Sequence, residues 1–75
     1  MKSMKISLEV AQRVKEFVAV VQGYEDEVLL KSGKYVVDAK SILGIFSLDL
    51  SQPLNVEIYG DKAEELVAQL KKFEA

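Results

Sequence analysis

No histidine occurs anywhere in this chain of 75 residues. That single absence removes the usual general base near neutral pH, the commonest metal ligand and one phosphoacceptor nitrogen. Cysteine is missing as well, which excludes a disulfide framework, a thiolate nucleophile and a zinc knuckle, and fits a reducing compartment. A strong charge of one sign is also lacking: 12 acidic residues stand against 10 basic ones. The chain therefore has neither the electrostatic footprint of a nucleic-acid binder nor a polybasic membrane anchor. Its longest uninterrupted apolar run, Phe17 to Val21, is far too short to span a bilayer. The opening "MKSMK" is basic but has no apolar stretch behind it, so it does not read as a signal peptide, and a cytoplasmic location is expected.

What is present is apolar residues, at 49% of the total, enough for a globular chain. The length predicts a single domain over residues 1–75, close to the lower size at which a core alone holds a fold. Met4, Ile6 and Leu8 alternate with polar residues, the period of a half-buried strand. Residues 9–22 change to helical spacing, with Val10, Val14, Phe17, Val18 and Val21 on one face. Ser7 is placed to cap that helix, and Gly23 to stop it. "EVLL" and "YVVDA" around "KSGK" predict two strands in a hairpin with Gly33 in the turn. After Pro53, Leu54, Val56 and Ile58 point one way and Asn55, Glu57 and Tyr59 the other, the cleanest strand in the chain. Asp61 followed by Glu64 suggests a capping-box start for a last helix, whose buried stripe is Ala63, Leu66, Val67, Leu70 and Phe73. The order β-α-β-β-α-β-α predicts an α+β fold with helices on one face of a four-stranded antiparallel sheet.

Candidate catalytic chemistry is thin. Ser32, Ser41, Ser47 and Ser51 have no histidine to activate them, and no Ser-x-x-Lys arrangement occurs. Glu25, Asp26 and Glu27 lack the alternating ligands and glycine of a calcium loop, so they read as a solvated strand entrance. The glycines are scattered and form no phosphate-cradling loop. No enzyme activity, cofactor or metal site is expected.

Residues 40–50, "KSILGIFSLDL", hold more interest. On a helix, Ile42, Leu43, Ile45, Phe46, Leu48 and Leu50 would cover about 220° of circumference, where an ordinary amphipathic stripe needs roughly 100° or slightly more. Either some of these side chains are exposed and mark a partner contact, or the helix stops early and Leu48 and Leu50 turn back into the core. Ser41 likewise has two readings, a regulatory site or a plain N-cap.

Residues 36–50, "VVDAKSILGIFSLDL", resemble the regulatory-serine segment of HPr, the histidine-containing phosphocarrier family of the bacterial phosphotransferase system. The family pattern is Lys-Ser-Ile-x-Gly-x-x-Ser-Leu, and Lys40, Ser41, Ile42, Gly44, Ser47 and Leu48 match it. The likeness extends over most of the chain and implies an HPr-like open-faced β-sandwich with three helices. It also implies that Ser41 is a regulatory phosphorylation site and that Lys40, Ile42, Leu43 and Phe46 form a partner-binding surface. The departure lies at the family's active site, where His-x-Arg-Pro opens the first helix. Alignment through that helix puts Val10 at the histidine, Gln12 at the arginine and Arg13 at the proline, behind a connection several residues shorter. Asp49 stands where glycine is common, and Phe46 where methionine is frequent. Some relatives that lack the histidine act only through the serine, as partners of a transcription regulator. The resemblance thus implies a non-catalytic interaction module whose partners are phosphotransferase-system enzymes, a serine kinase or a transcription regulator. Two alternatives stand beside it: a degenerate carrier that docks those enzymes without relaying phosphate, and a remnant acting only through assembly. The shortened connection before the first helix further suggests a strained hinge and a homodimer that exchanges Met4 to Leu8 between protomers.

Overall fold

A computed structural model describes all residues, 1–75. Strand β1 (Lys2–Ile6) leads into helix α1 (Ala11–Gln22), then the hairpin of β2 (Val28–Ser32) and β3 (Tyr35–Asp38). Helix α2 (Ile42–Phe46), strand β4 (Leu54–Ile58), helix α3 (Ala63–Gln69) and a 3₁₀ turn (Lys71–Phe73) follow. The four strands form one antiparallel sheet in the order β1-β4-β2-β3. The strand last in sequence is thus central. It pairs Met4 with Val56 on one side and Leu30 with the same Val56 on the other.

Period-two patterning decides which side of the sheet is covered. Ile6, Val28, Leu30, Leu54, Val56 and Ile58 are fully buried, and beneath the helices they meet Val14, Phe17 and Val21 of α1, Ile45 of α2 and Leu66 of α3. The opposite face carries Lys31, Glu57 and Tyr59 and is open. The hairpin turns at Gly33, whose φ of 59° lies in the left-handed region that glycine adopts without strain.

The chain's ends are knotted through Phe73. Its ring lies edge-on to Phe17 at 5.7 Å between centroids. The Arg13 guanidinium sits 5.2 Å from its centre. Nε of Arg13 donates to the Ser7 carbonyl at 3.0 Å, and Nη2 donates to the Lys72 carbonyl at 3.3 Å. Arg13 is thereby committed to holding the β1–α1 connection against the C-terminal segment.

Several expectations need correction. Ser7 does not cap α1: its N–H donates to the Phe73 carbonyl at 2.8 Å, and its hydroxyl faces Glu9 at 3.4 Å. The N-cap residue is Val10, with no side-chain cap. Val10 consequently lies outside the helix, 56% exposed, and not on the buried face. Asp61 does not cap α3 either. Gly60, at φ 102°, turns the chain so that its own carbonyl accepts the Ala63 N–H, and the helix starts after Lys62. The final stripe is bent, since α3 gives way to the 3₁₀ turn, yet Ala63, Leu66, Leu70 and Phe73 are buried as expected. Within the single chain, β1 pairs along its whole length with β4, and no residue other than glycine has a positive φ.

On the open face, Lys31 Nζ lies 2.9 Å from Glu57 Oε2, and the Tyr59 hydroxyl donates to Glu57 Oε1 at 3.0 Å. These hydrogen bonds, Lys31's first, hold the Glu57 carboxyl below the usual glutamate range. The bond to Glu57 raises Lys31 in return. A depressed carboxyl favours the folded state above its ordinary pKa and loses that contribution as pH falls through its folded value. The raised lysine contributes below its ordinary pKa and loses that contribution as pH rises through its raised value. Glu57→Gln should therefore flatten the fall in Tm between about pH 5 and pH 3, because it removes the group that titrates there. Thermal melts of both proteins across that range check this; parallel curves would contradict it.

Candidate functional site

Helix α2 is barely more than one turn, and its geometry is set by two serines and a glycine. Ser41 is its N-cap, with an extended backbone and an Oγ that accepts the Gly44 N–H at 3.1 Å. The Ser41 N–H in turn donates to the Asp38 carbonyl at 2.9 Å, which fixes the turn from β3. At the far end the Ser47 hydroxyl donates to the Gly44 carbonyl, closing the helix after Phe46. Gly44 allows close approach: a Cβ there would meet Ser41 Oγ at 3.2 Å and Val37 Cβ at 3.3 Å, tight contacts that would require these neighbours to give slightly.

The early stop resolves the excess of apolar residues. Ile45 is the fully buried anchor of α2. Ile42, Leu48 and Leu50 are partly buried against the core, the last two from beyond the helix. Leu43 is 81% exposed and Phe46 43%. The site thus consists of Ser41 at one end of a short helix, with Leu43 and Phe46 exposed on that helix.

Lys40 behaves differently from expectation. Its Nζ donates to the Tyr24 carbonyl at 2.6 Å, and its own carbonyl accepts from Gln22 Nε2 at 2.8 Å. The lysine therefore bridges the start of α2 to the end of α1, with its ammonium engaged at the Tyr24 carbonyl. No local pattern announces this contact, because Tyr24 and Gln22 come together with Lys40 only through the fold. Asp49 is likewise engaged locally. It accepts from the Ser51 hydroxyl at 2.6 Å and from the Ser51 N–H at 3.1 Å. These bonds, the hydroxyl's first, hold its carboxyl below the usual aspartate range.

Val10 is not brought to Ser41. The bridge at Gln22 puts Ser41 beside the end of α1, while Val10 precedes its start, so the twelve residues of α1 separate them by about 18 Å at 1.5 Å per residue. A cleft of about 210 Å³ lies between the end of α1 and α3, bordered by Val20, Tyr24, Lys62, Glu65 and Gln69. It holds no titratable cluster with metal-ligand geometry. No helix is long and apolar enough to cross a membrane.

Replacing Ser41 by alanine removes the oxygen that accepts the Gly44 N–H. A loss of about 1 kcal/mol is expected, read from chemical denaturation, with the sheet's spectrum unchanged.

Comparison with known proteins places these features in a family. A crystal structure of HPr-C-His from Thermoanaerobacter tengcongensis superposes with a TM-score of 0.83 at 28% identity, covering 96% of this chain and 89% of that one. The phosphocarrier protein HPr from Bacillus anthracis gives 0.76 at 25% identity, over 99% and 94%. The histidine-containing phosphocarrier protein of Mycoplasma shares the fold, with a TM-score of 0.77 at 12% identity over 95% and 86%. No curated protein sequence matches significantly. Residues 9–75 match the family model described as the PTS HPr component phosphorylation site. The chain therefore belongs to the HPr family, the phosphocarrier proteins of the phosphotransferase system, and contains none of the histidine for which that family is named.

Proposed function

We propose that this HPr-family protein is a non-catalytic interaction module that works through the Ser41 helix, with phosphorylation of Ser41 as its switch. One observation carries the reading: α2 buries Ile45 yet leaves Leu43 and Phe46 exposed on the short helix that Ser41 caps. Two large apolar side chains on a helix capped by a modifiable oxygen form a compact surface of the kind that anchors a partner. With no histidine in the chain, the family's relay of phosphate through an imidazole nitrogen has no acceptor.

Phosphorylation would replace a neutral cap by a group carrying nearly two negative charges at pH 7. Lys40 is occupied at the Tyr24 carbonyl, so the cation that reads the phosphate would come from the partner. An arginine beside an apolar groove has the matching chemistry. Partners of this description include a serine kinase that modifies Ser41, a phosphotransferase-system enzyme and a transcription regulator.

Two experiments test the proposal. Incubation with phosphoenolpyruvate and the first enzyme of the phosphotransferase system should leave no acid-labile phosphate on this chain; labelling under conditions that label an ordinary HPr would contradict it. Ser41→Ala and Leu43→Ala should both lose partner capture from extracts of the source cells. Leu43→Ala should keep its melting temperature, since Leu43 is solvent-exposed. If both variants keep every partner and differ only in Tm, the surface is no recognition site and Ser41 is a plain cap. Docking of phosphotransferase enzymes by both variants would instead favour a degenerate carrier.

A further inference from the structure

The two outer strands of the sheet end in opposite ways. Along β1, the C-terminal segment covers the free side: the Ser7 N–H donates to the Phe73 carbonyl, the Ala75 N–H donates to the Lys5 carbonyl at 3.1 Å, and Glu74 pairs opposite Ile6. Along β3 the free side is met by backbone only at its end, where the Asp38 carbonyl accepts the Ser41 N–H at 2.9 Å; Val36 is left uncovered. Edge strands of stable monomers are commonly blunted by lysine, proline or a bulge. From Tyr35 to Val37 the chain has none of these, and Tyr35 and Val36 are 65% and 51% exposed.

The pairing phase fixes what that edge offers. The Ala39 N–H donates to the Val28 carbonyl at 2.9 Å, so in this antiparallel ladder Tyr35 and Val37 share its phase and direct their backbone groups toward β2. By alternation, Val36 directs its N–H and carbonyl outward, as Asp38 does its N–H, the Asp38 carbonyl being held by the Ser41 N–H. Lys31 pairs with Val36 and Leu29 with Asp38, which puts the Val36 and Asp38 side chains on the open face of the sheet.

We infer that the β3 edge is a self-docking surface for a second copy of this chain, related by a two-fold axis through Val36. In that register Val36 faces Val36 of the copy, and Tyr35 faces Val37. Lys34 faces Asp38, an ion pair that the symmetry makes twice. Lys34 has no carboxylate partner within its own chain, since the ion pairs here are those of Lys2, Lys31 and Lys71. Asp38 uses one oxygen on the Lys40 N–H at 2.9 Å, which leaves the second free. Neighbouring symmetric registers lose this match. An axis through Val37 sets Lys34 against Lys40 and Val36 against Asp38, while one through Tyr35 sets Val36 against Lys34. A one-residue slip would oppose the open face of one sheet to the helical face of the other. The charge pattern therefore selects one pairing, which joins two sheets into one and places both α2 helices on the same side. A contact of one short strand is small, so the dimer forms at about 1 mM and dissociates on dilution.

The absence of native cysteine makes the contact directly trappable. In the predicted register Val36→Cys puts two thiols about 5.5 Å apart at Cα, within disulfide reach. Under mild oxidation it should form a covalent dimer several-fold faster than Lys5→Cys on the tail-covered edge, with circular dichroism confirming that both fold. Adding Lys34→Glu to Val36→Cys should slow cross-linking several-fold, because each new carboxylate would face Asp38 of the copy. Sedimentation of the unmodified chain at about 1 mM should show dimer that Lys34→Glu abolishes. The inference is overturned if Val36→Cys cross-links no faster than Lys5→Cys, or if the chain sediments as monomer throughout. A dimer that survives Lys34→Glu overturns it too, since its interface would lie elsewhere.

Discussion

The burial of β4 governs the rest of the molecule. Leu54, Val56 and Ile58 are fully buried on one face of the central strand, yet this strand arrives only after two-thirds of the sequence has passed. Until it enters between β1 and β2, neither neighbour has its full ladder, and α1 has only part of a floor to pack on. A fold whose central strand joins late must assemble many long-range contacts together, which slows folding relative to a helical bundle of the same size. The helices divide the sheet between them, α2 packing over β3 and α3 over β1.

The Phe73 cluster completes this arrangement from the other end of the chain. A single aromatic ring receives Phe17 at its edge and a cation from Arg13, while Arg13 also gathers the Ser7 and Lys72 carbonyls. The resemblance sets Arg13 at the family's proline, three residues after Val10, and its donors are directed to the connection that brings β1 into the sheet and to the C-terminal segment. The absence of histidine and the inward use of this arginine occur together in this chain.

Period-two and helical spacing made most of the fold legible, because burial on one face leaves a direct trace in the order of residues. The alternation at Leu54, Val56 and Ile58 and the stripe of Val14, Phe17 and Val21 are such traces. Caps were less legible. Ser7 and Asp61 have the right chemistry for an N-cap, but the Ser7 N–H is drawn to the C-terminal segment and the turn at Gly60 moves the start of α3, both tertiary effects. The site was half legible. Exposure of Leu43 and Phe46 followed from an excess of apolar residues over what one helical stripe can bury. The commitment of Lys40 to Tyr24 had no local signature, since the two groups are sixteen positions apart and meet only when α1 and α2 pack.

The shortness of α2 has a dynamic consequence. With Ile45 as its one fully buried side chain, this helix is held to the sheet by far less apolar area than α1, and its few hydrogen bonds open to water along most of their length. Local opening of such a unit costs only part of the global unfolding free energy. Amide exchange in α2 is therefore expected to run ahead of exchange in β4.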